Sequence, residues 1–179
     1  MSEPSPSRLW VMRAAFAALV MALIFFHLLP LQTATGGLIW PDFILAFALA
    51  WSVRRPDYVP AALLAAVFLM ADLLLQRPPG LWAALALVAC TQMQMRARSL
   101  RDATLSTELV SAAAWIVGVG IAYRIALAIF LIDAPALIPS VIQITVTVLA
   151  YPLVVAVTHA LMGVRKLAPG DFDSTGARV

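Results

Sequence analysis

The chain has 179 residues, 63% of them hydrophobic and only 12% charged. A soluble domain carries roughly twice that share of charge. A water-soluble fold of this length cannot hide so much apolar surface, so a soluble globular protein is excluded. The 12 Lys and Arg that leave a net charge of +3 are scattered among short polar breaks with no aromatic-interleaved patch, which removes nucleic acid as an expected partner.

In lipid every backbone polar group has to be bonded inside the protein, so long apolar runs become helices of about 20 residues. Six runs qualify: residues 9–29, 38–53, 59–75, 81–95, 109–132 and 137–163. They predict an all-α integral membrane protein with one domain over residues 8–163. The Pro-, Ser-, Gly- and Asp-rich ends, 1–7 and 164–179, are expected to be mobile tails.

The first run carries Arg13, is long for a signal-peptide core and lacks a small-residue cleavage site, so it is expected to remain as a span. Trp10, Trp40, Trp51 and Trp82 fall near proposed span ends, where interfacial aromatic anchors belong; Trp115 lies deeper. Pro41, Pro60 and Pro139 sit in or near first turns, where a missing N–H is harmless, whereas Pro152 is interior and predicts a kink. Asp42 opens the second run, and its carboxylate suits the positive end of a helix. Asp72 lies about one turn from the end of the third run, just before Gln76-Arg77-Pro78-Pro79-Gly80. The fourth run holds Cys90, the single cysteine, which is read as a packing residue. A basic loop with Arg96, Arg98 and Arg101 follows as a topological anchor, open also to anionic lipid or a cytoplasmic partner. In the fifth run Gly118 and Gly120 permit close helix approach, and Arg124 stands nine residues from the end, roughly 13 Å deep. Gln143, Thr147 and Tyr151 share one face of the sixth run, the pattern of interhelical hydrogen bonds.

Loop charges set the orientation. With the N-terminus inside, the cytoplasmic side receives Arg8, Arg13, Arg54, Arg55, Arg96, Arg98, Arg101, Arg165, Lys166 and Arg178, and the outer side only Arg77. This asymmetry predicts both termini in the cytoplasm.

Catalytic chemistry finds little purchase. The two histidines, His27 and His159, belong to opposite ends of the predicted bundle, without a neighbouring Cys or carboxylate in sequence. Neither a nucleophilic triad nor a metal-ligand spacing nor a phosphate-cradling glycine loop is present, so no enzyme, cofactor or metal is expected. The informative residues are the ionisable groups inside the spans, each of which costs a few kcal/mol if left unpaired in lipid. Asp42, Asp72, Arg124, Gln143 and His27 all fall in the outer half of the membrane. Asp72 and Arg124 are expected to pair, with the others completing a network. That network is either a polar knot that fixes helix register or an outward-opening pocket for a small ligand.

Four stretches carry a resemblance. Trp40-Pro41-Asp42-Phe43-Ile44-Leu45 leads into the second run, which closes on Arg54-Arg55-Pro56 and Asp57-Tyr58-Val59-Pro60. Then come Phe68-Leu69-Met70-Ala71-Asp72-Leu73-Leu74 and Arg77-Pro78-Pro79-Gly80-Leu81. Their order and spacing resemble the MreD family of bacterial rod shape-determining proteins, best over residues 38–100. From Leu105 onward no family-specific pattern is present. The resemblance implies six transmembrane helices, N-in and C-in, in a fold similar to the substrate-binding subunits of energy-coupling-factor transporters. It implies a non-enzymatic scaffold in the bacterial inner membrane that maintains rod shape by binding MreC and supporting lateral peptidoglycan synthesis. MreB, RodA and its penicillin-binding transpeptidase are the further expected complex members, with membrane lipids around them. Pro41, Asp42, Arg55, Pro56, Asp72 and Gly80 match the recurring family pattern, while Arg124 rests on depth alone. The alternative expectation is a small-molecule-binding membrane subunit of a transporter, built on the pocket around Asp72 and Arg124. A membrane transferase is disfavoured because no catalytic set is present.

Overall fold

The computed structural model describes residues 6–29, 39–101 and 105–162. The described chain forms six α-helices and no strand: α1 Pro6–Leu28, α2 Phe43–Arg54, α3 Ala61–Leu74, α4 Leu81–Arg101, α5 Leu105–Ile129 and α6 Leu137–Met162. A 3₁₀ turn, Pro56–Tyr58, joins α2 to α3. Each helix matches one of the six apolar runs, and four of the five breaks between runs hold Pro or Gly, which end a helix. Of the predicted tails at 1–7 and 164–179, residues 1–5 and 164–179 lie outside the described residues, whereas Pro6 and Ser7 already belong to α1.

Three helices are long and apolar enough to cross a membrane: Ser7–Leu28, Leu105–Ile129 and Leu137–Ala160. The apolar helices α2 and α3 have 12 and 14 residues. At 1.5 Å per residue they are only about 18 and 21 Å long, shorter than the ~30 Å hydrocarbon core. Their shortness has a use, since the polar groups that end them are pulled into the bundle.

The bundle is organised around α2. Every residue from Ile44 to Arg54 is buried, and the helix packs chiefly against α4 and α6, with α1 and α5 alongside. Ala46, Ala48 and Ala50 are fully buried, and small side chains let neighbouring backbones come close. Around this post α3 packs on α1 and α4, and α5 on α4 and α6. The outward faces carry Phe25 and Phe26 of α1, Ile121 and Ile125 of α5, and Val141 and Leu149 of α6, all exposed. Such a surface is stable in lipid and a liability in water.

Several expectations need correction. Trp51 is not an interfacial anchor: it is fully buried, its ring 5.3 Å from Phe16 and 6.3 Å from Tyr58. It stands three residues before the end of α2, but that end is enclosed by α1 and the 3₁₀ turn. The basic stretch is no loop, because α4 continues through Arg96 and Arg98 to Arg101. Met, Gln, Arg, Ala and Leu are good helix formers and no breaker interrupts them. α5 ends at Ile129, three residues early, where Leu131 turns to a φ of 53°. Pro152 is interior to α6, the placement on which the expected kink rests. Of the two glycines in α5 only Gly120 closes an interface. A Cβ there would meet Ile144 Cδ1 of α6 at 2.5 Å, whereas one on Gly118 would meet open space.

Candidate functional site

With the first residues of α2 placed at the top, the upper end of the bundle is built from helix starts. Asp42 caps α2: Leu45 N donates to its Oδ1 at 3.0 Å. Its own backbone N–H donates to Thr147 Oγ1 of α6 at 2.9 Å, and that hydroxyl donates to the Gln143 carbonyl at 2.7 Å. A Pro-Asp pair before an apolar run is a helix-start signal, and here the cap also fastens α2 to α6.

Asp72, near the end of α3 and 0% exposed, caps a different helix. Its Oδ2 accepts from Gly80 N and Ala83 N, both at 3.0 Å, at the first turn of α4. The turn that brings α4 back under Asp72 uses Gly80 at a φ of 85°, a conformation that glycine adopts without a Cβ penalty. Both carboxylates thus sit against the positive ends of helices, which offsets part of the desolvation of a charge in lipid.

The cation of this assembly is Arg77, from the α3–α4 turn. Its Nη1 lies 3.7 Å from Asp42 Oδ2, and its guanidinium carbon stands 4.9 Å over the Trp82 ring. Trp82 in turn meets Tyr123 of α5 edge-on at 5.1 Å. Asp42, Asp72 and Arg77 therefore tie the upper ends of α2, α3 and α4 to α5 and α6.

The expected Asp72–Arg124 pair does not form. Arg124 Nη1 donates to the Pro135 carbonyl at 2.8 Å and to Ser140 Oγ at 2.9 Å, bracing the α5–α6 turn. With α5 ending at Ile129, Arg124 is only about 7.5 Å from its end and reaches the turn directly. Gln143 enters the network through its backbone carbonyl. His27, on the last turn of α1, is exposed and lines a cavity of about 560 Å³ with Asp42 and Arg77. The apolar part of its wall comes from α1, the first turn of α2 and Leu75.

A second polar cluster, which the sequence reading missed, lies at the lower end. Arg54 is 7% exposed and Glu108 0%. Arg54 Nε stands 3.3 Å from Glu108 Oε1, and Nη2 donates to Oε2 at 3.3 Å, a two-pronged ion pair between α2 and α5. The buried Tyr151 hydroxyl of α6 donates to Oε1 at 3.5 Å. In the sequence Arg54 follows directly on the second apolar run, as a loop charge does, and Glu108 falls one residue before the predicted fifth span. The usable signal was Tyr151, whose face also holds Thr147: one face of α6 serves both clusters. Beside it Arg13 Nε and Nη2 donate to the Asp57 carbonyl at 3.2 and 3.1 Å, fastening α1 to the 3₁₀ turn. In that turn Arg55 lies over Tyr58 at 5.9 Å and Pro56 takes the first position.

Of the basic residues near the end of α4, Arg96 is exposed. The side chains of Arg98 and Arg101 lie outside the described residues. Among the described residues no three His, Cys, Asp or Glu side chains gather closely enough to hold a metal ion. What the site does chemically is bind helix ends and hold buried charge.

The fold and these clusters define an all-helical protein with the apolar outer surface and the long helices of a membrane protein. Comparison with family models, curated proteins and solved structures gave no match.

Proposed function

We propose that the chain is a non-enzymatic scaffold of the MreD type, with six membrane spans and both termini in the cytoplasm. In this reading it resides in the bacterial inner membrane, binds MreC directly, and through MreC joins MreB, RodA and the penicillin-binding transpeptidase of lateral wall synthesis. The short helices α2 and α3 cross the bilayer within the bundle, completed by residues 39–42 and the 3₁₀ turn. The fold is then akin to the substrate-binding subunits of energy-coupling-factor transporters.

One observation carries this reading: the residues behind the resemblance are spent on shape. Pro41 and Asp42 start α2, Asp72 and Gly80 start α4, and Arg55 and Pro56 form the turn between α2 and α3. That these residues specify caps and turns is what supports the architectural reading. The exposed apolar faces of α1, α5 and α6 offer lipid-embedded surfaces on which a partner's membrane helix can pack.

Complementation tests the reading. In a rod-shaped bacterium depleted of its own MreD, expression of this chain restores rods, whereas cells that stay round overturn the proposal. The cavity beside Asp42 and Arg77 favours a second reading, a small-molecule-binding subunit of a transporter. A membrane ATPase that copurifies in place of MreC decides for it.

A further inference from the structure

The cavity at the upper end has two unlike parts. Its wall is apolar, with Leu23 and Phe26 from α1, Phe43 and Ile44 from α2, and Leu75 after α3. Its polar end is formed by Asp42, Arg77 and His27. Asp42 is 7% exposed, and its Oδ2 is buried without a hydrogen bond. The Arg77 Nη1 that faces this oxygen is 3.7 Å away, an ion-pair distance too long for a hydrogen bond. Buried carboxylate oxygens are ordinarily satisfied, so this one marks a place for a donor. A single head that donates to Asp42 and accepts from Arg77 completes both.

The shape of the wall says where such a head comes from. A volume of about 560 Å³ is ordinary for a small-molecule pocket, but far too small for a whole diacyl lipid. The α1 wall, however, runs without a break onto an outward apolar face, where Phe26 is 61% exposed and Leu28 50%. A hydrocarbon chain leaving the cavity along α1 therefore continues into the bilayer. A soluble ligand has no need of that exit.

We propose that this cavity binds the headgroup and upper acyl chain of a phospholipid whose head carries both a phosphate and an N–H donor, as phosphatidylethanolamine does. The phosphate accepts from Arg77 and His27, the ammonium donates to Asp42 Oδ2, and the acyl chain lies along Leu23, Phe26 and Leu75. The inference rests on the chain lying in a membrane and is independent of the MreC reading. Lipid retention is measured on the isolated chain, partner capture is not, so the two fail separately.

The test is native mass spectrometry of the full chain in neutral detergent with equal amounts of phosphatidylethanolamine and phosphatidylcholine, whose trimethylammonium has no N–H. The wild type retains the first about tenfold over the second, the equivalent of one charge-assisted hydrogen bond. Asp42→Asn keeps an oxygen for the α2 cap, so it folds, and it loses the preference. Arg77→Gln weakens retention of both lipids, and Leu75→Trp, which fills the cavity without touching a charge, abolishes it. Far-UV circular dichroism verifies the fold of each variant, and either Asp42→Asn or Leu75→Trp alone suffices to decide. Equal retention of the two lipids, or unchanged retention in Leu75→Trp, overturns the proposal. So does displacement of the lipid by soluble glycerophosphoethanolamine, which assigns the cavity to a soluble ligand.

Discussion

Replacing Glu108 by Ala removes the partner of a guanidinium that stays buried at the end of α2. Breaking one side of a buried pair costs about 3–5 kcal/mol. Tyr151 loses its acceptor at the same time, adding about 1 kcal/mol for an unsatisfied hydroxyl. Two effects work the other way. Arg54 occupies the last turn of α2, where the negative end of the helix dipole stabilises a cation by about 0.5–1 kcal/mol. The unfolded chain in a micelle also finds new partners for a freed polar group, which shrinks measured effects in membrane proteins. The expected loss is about 2–4 kcal/mol. Unfolding by sodium dodecyl sulfate titrated into mixed micelles, followed by far-UV circular dichroism, measures it. The double change Arg54→Met with Glu108→Leu removes both charges together and is expected within about 1 kcal/mol of the wild type. A single-variant loss below about 1 kcal/mol would refute the reasoning. A double variant no more stable than Glu108→Ala would refute it too.

Unfolding measurements of the same kind check four further expectations. Asp72→Ala removes the acceptor of two first-turn amides of α4 and lowers stability by about 1–2 kcal/mol, while Asp72→Asn keeps an acceptor and loses less. Because Asp72 and Arg124 serve separate turns, Asp72→Ala and Arg124→Gln add within about 0.5 kcal/mol, and a larger coupling restores the pair that the sequence reading expected. Thr147→Val leaves the Asp42 amide without its acceptor and costs about 1–3 kcal/mol, whereas Thr147→Ser is nearly neutral. In α5, Gly120→Leu drives side-chain atoms into Ile144 and destabilises by about 1–3 kcal/mol, and Gly118→Leu, facing open space, is tolerated. Equal melting temperatures for the two glycine variants would contradict that assignment.

Much of the fold was legible because lipid leaves few choices: apolar runs become helices, and Pro, Gly and charge end them. The α2 cap was legible for a local reason, since Asp42 precedes the run that it starts. The partners of Asp72 were not. Depth along a helix fixes a residue's height but not its azimuth, so Arg124 shared the outer half with Asp72 in the sequence while reaching a different turn in the fold. Counting Arg77 and Arg54 as loop charges served topology and hid their pairing, because a short helix draws its ends into the bundle. Trp51 misled for the same reason: nearness to a span end is nearness to the interface only when the helix spans the whole bilayer. Glu108 escaped because α5 begins four residues before its apolar run.

The central claim is that these caps and ion pairs build a rigid platform for a partner and perform no reaction. Affinity purification of the tagged chain in mild detergent from a rod-shaped bacterium tests it most directly. The account predicts recovery of MreC together with the wall synthases, undiminished in the stably folded Arg54→Met, Glu108→Leu variant. Recovery of the chain without MreC, or with a transport ATPase in its place, would contradict it.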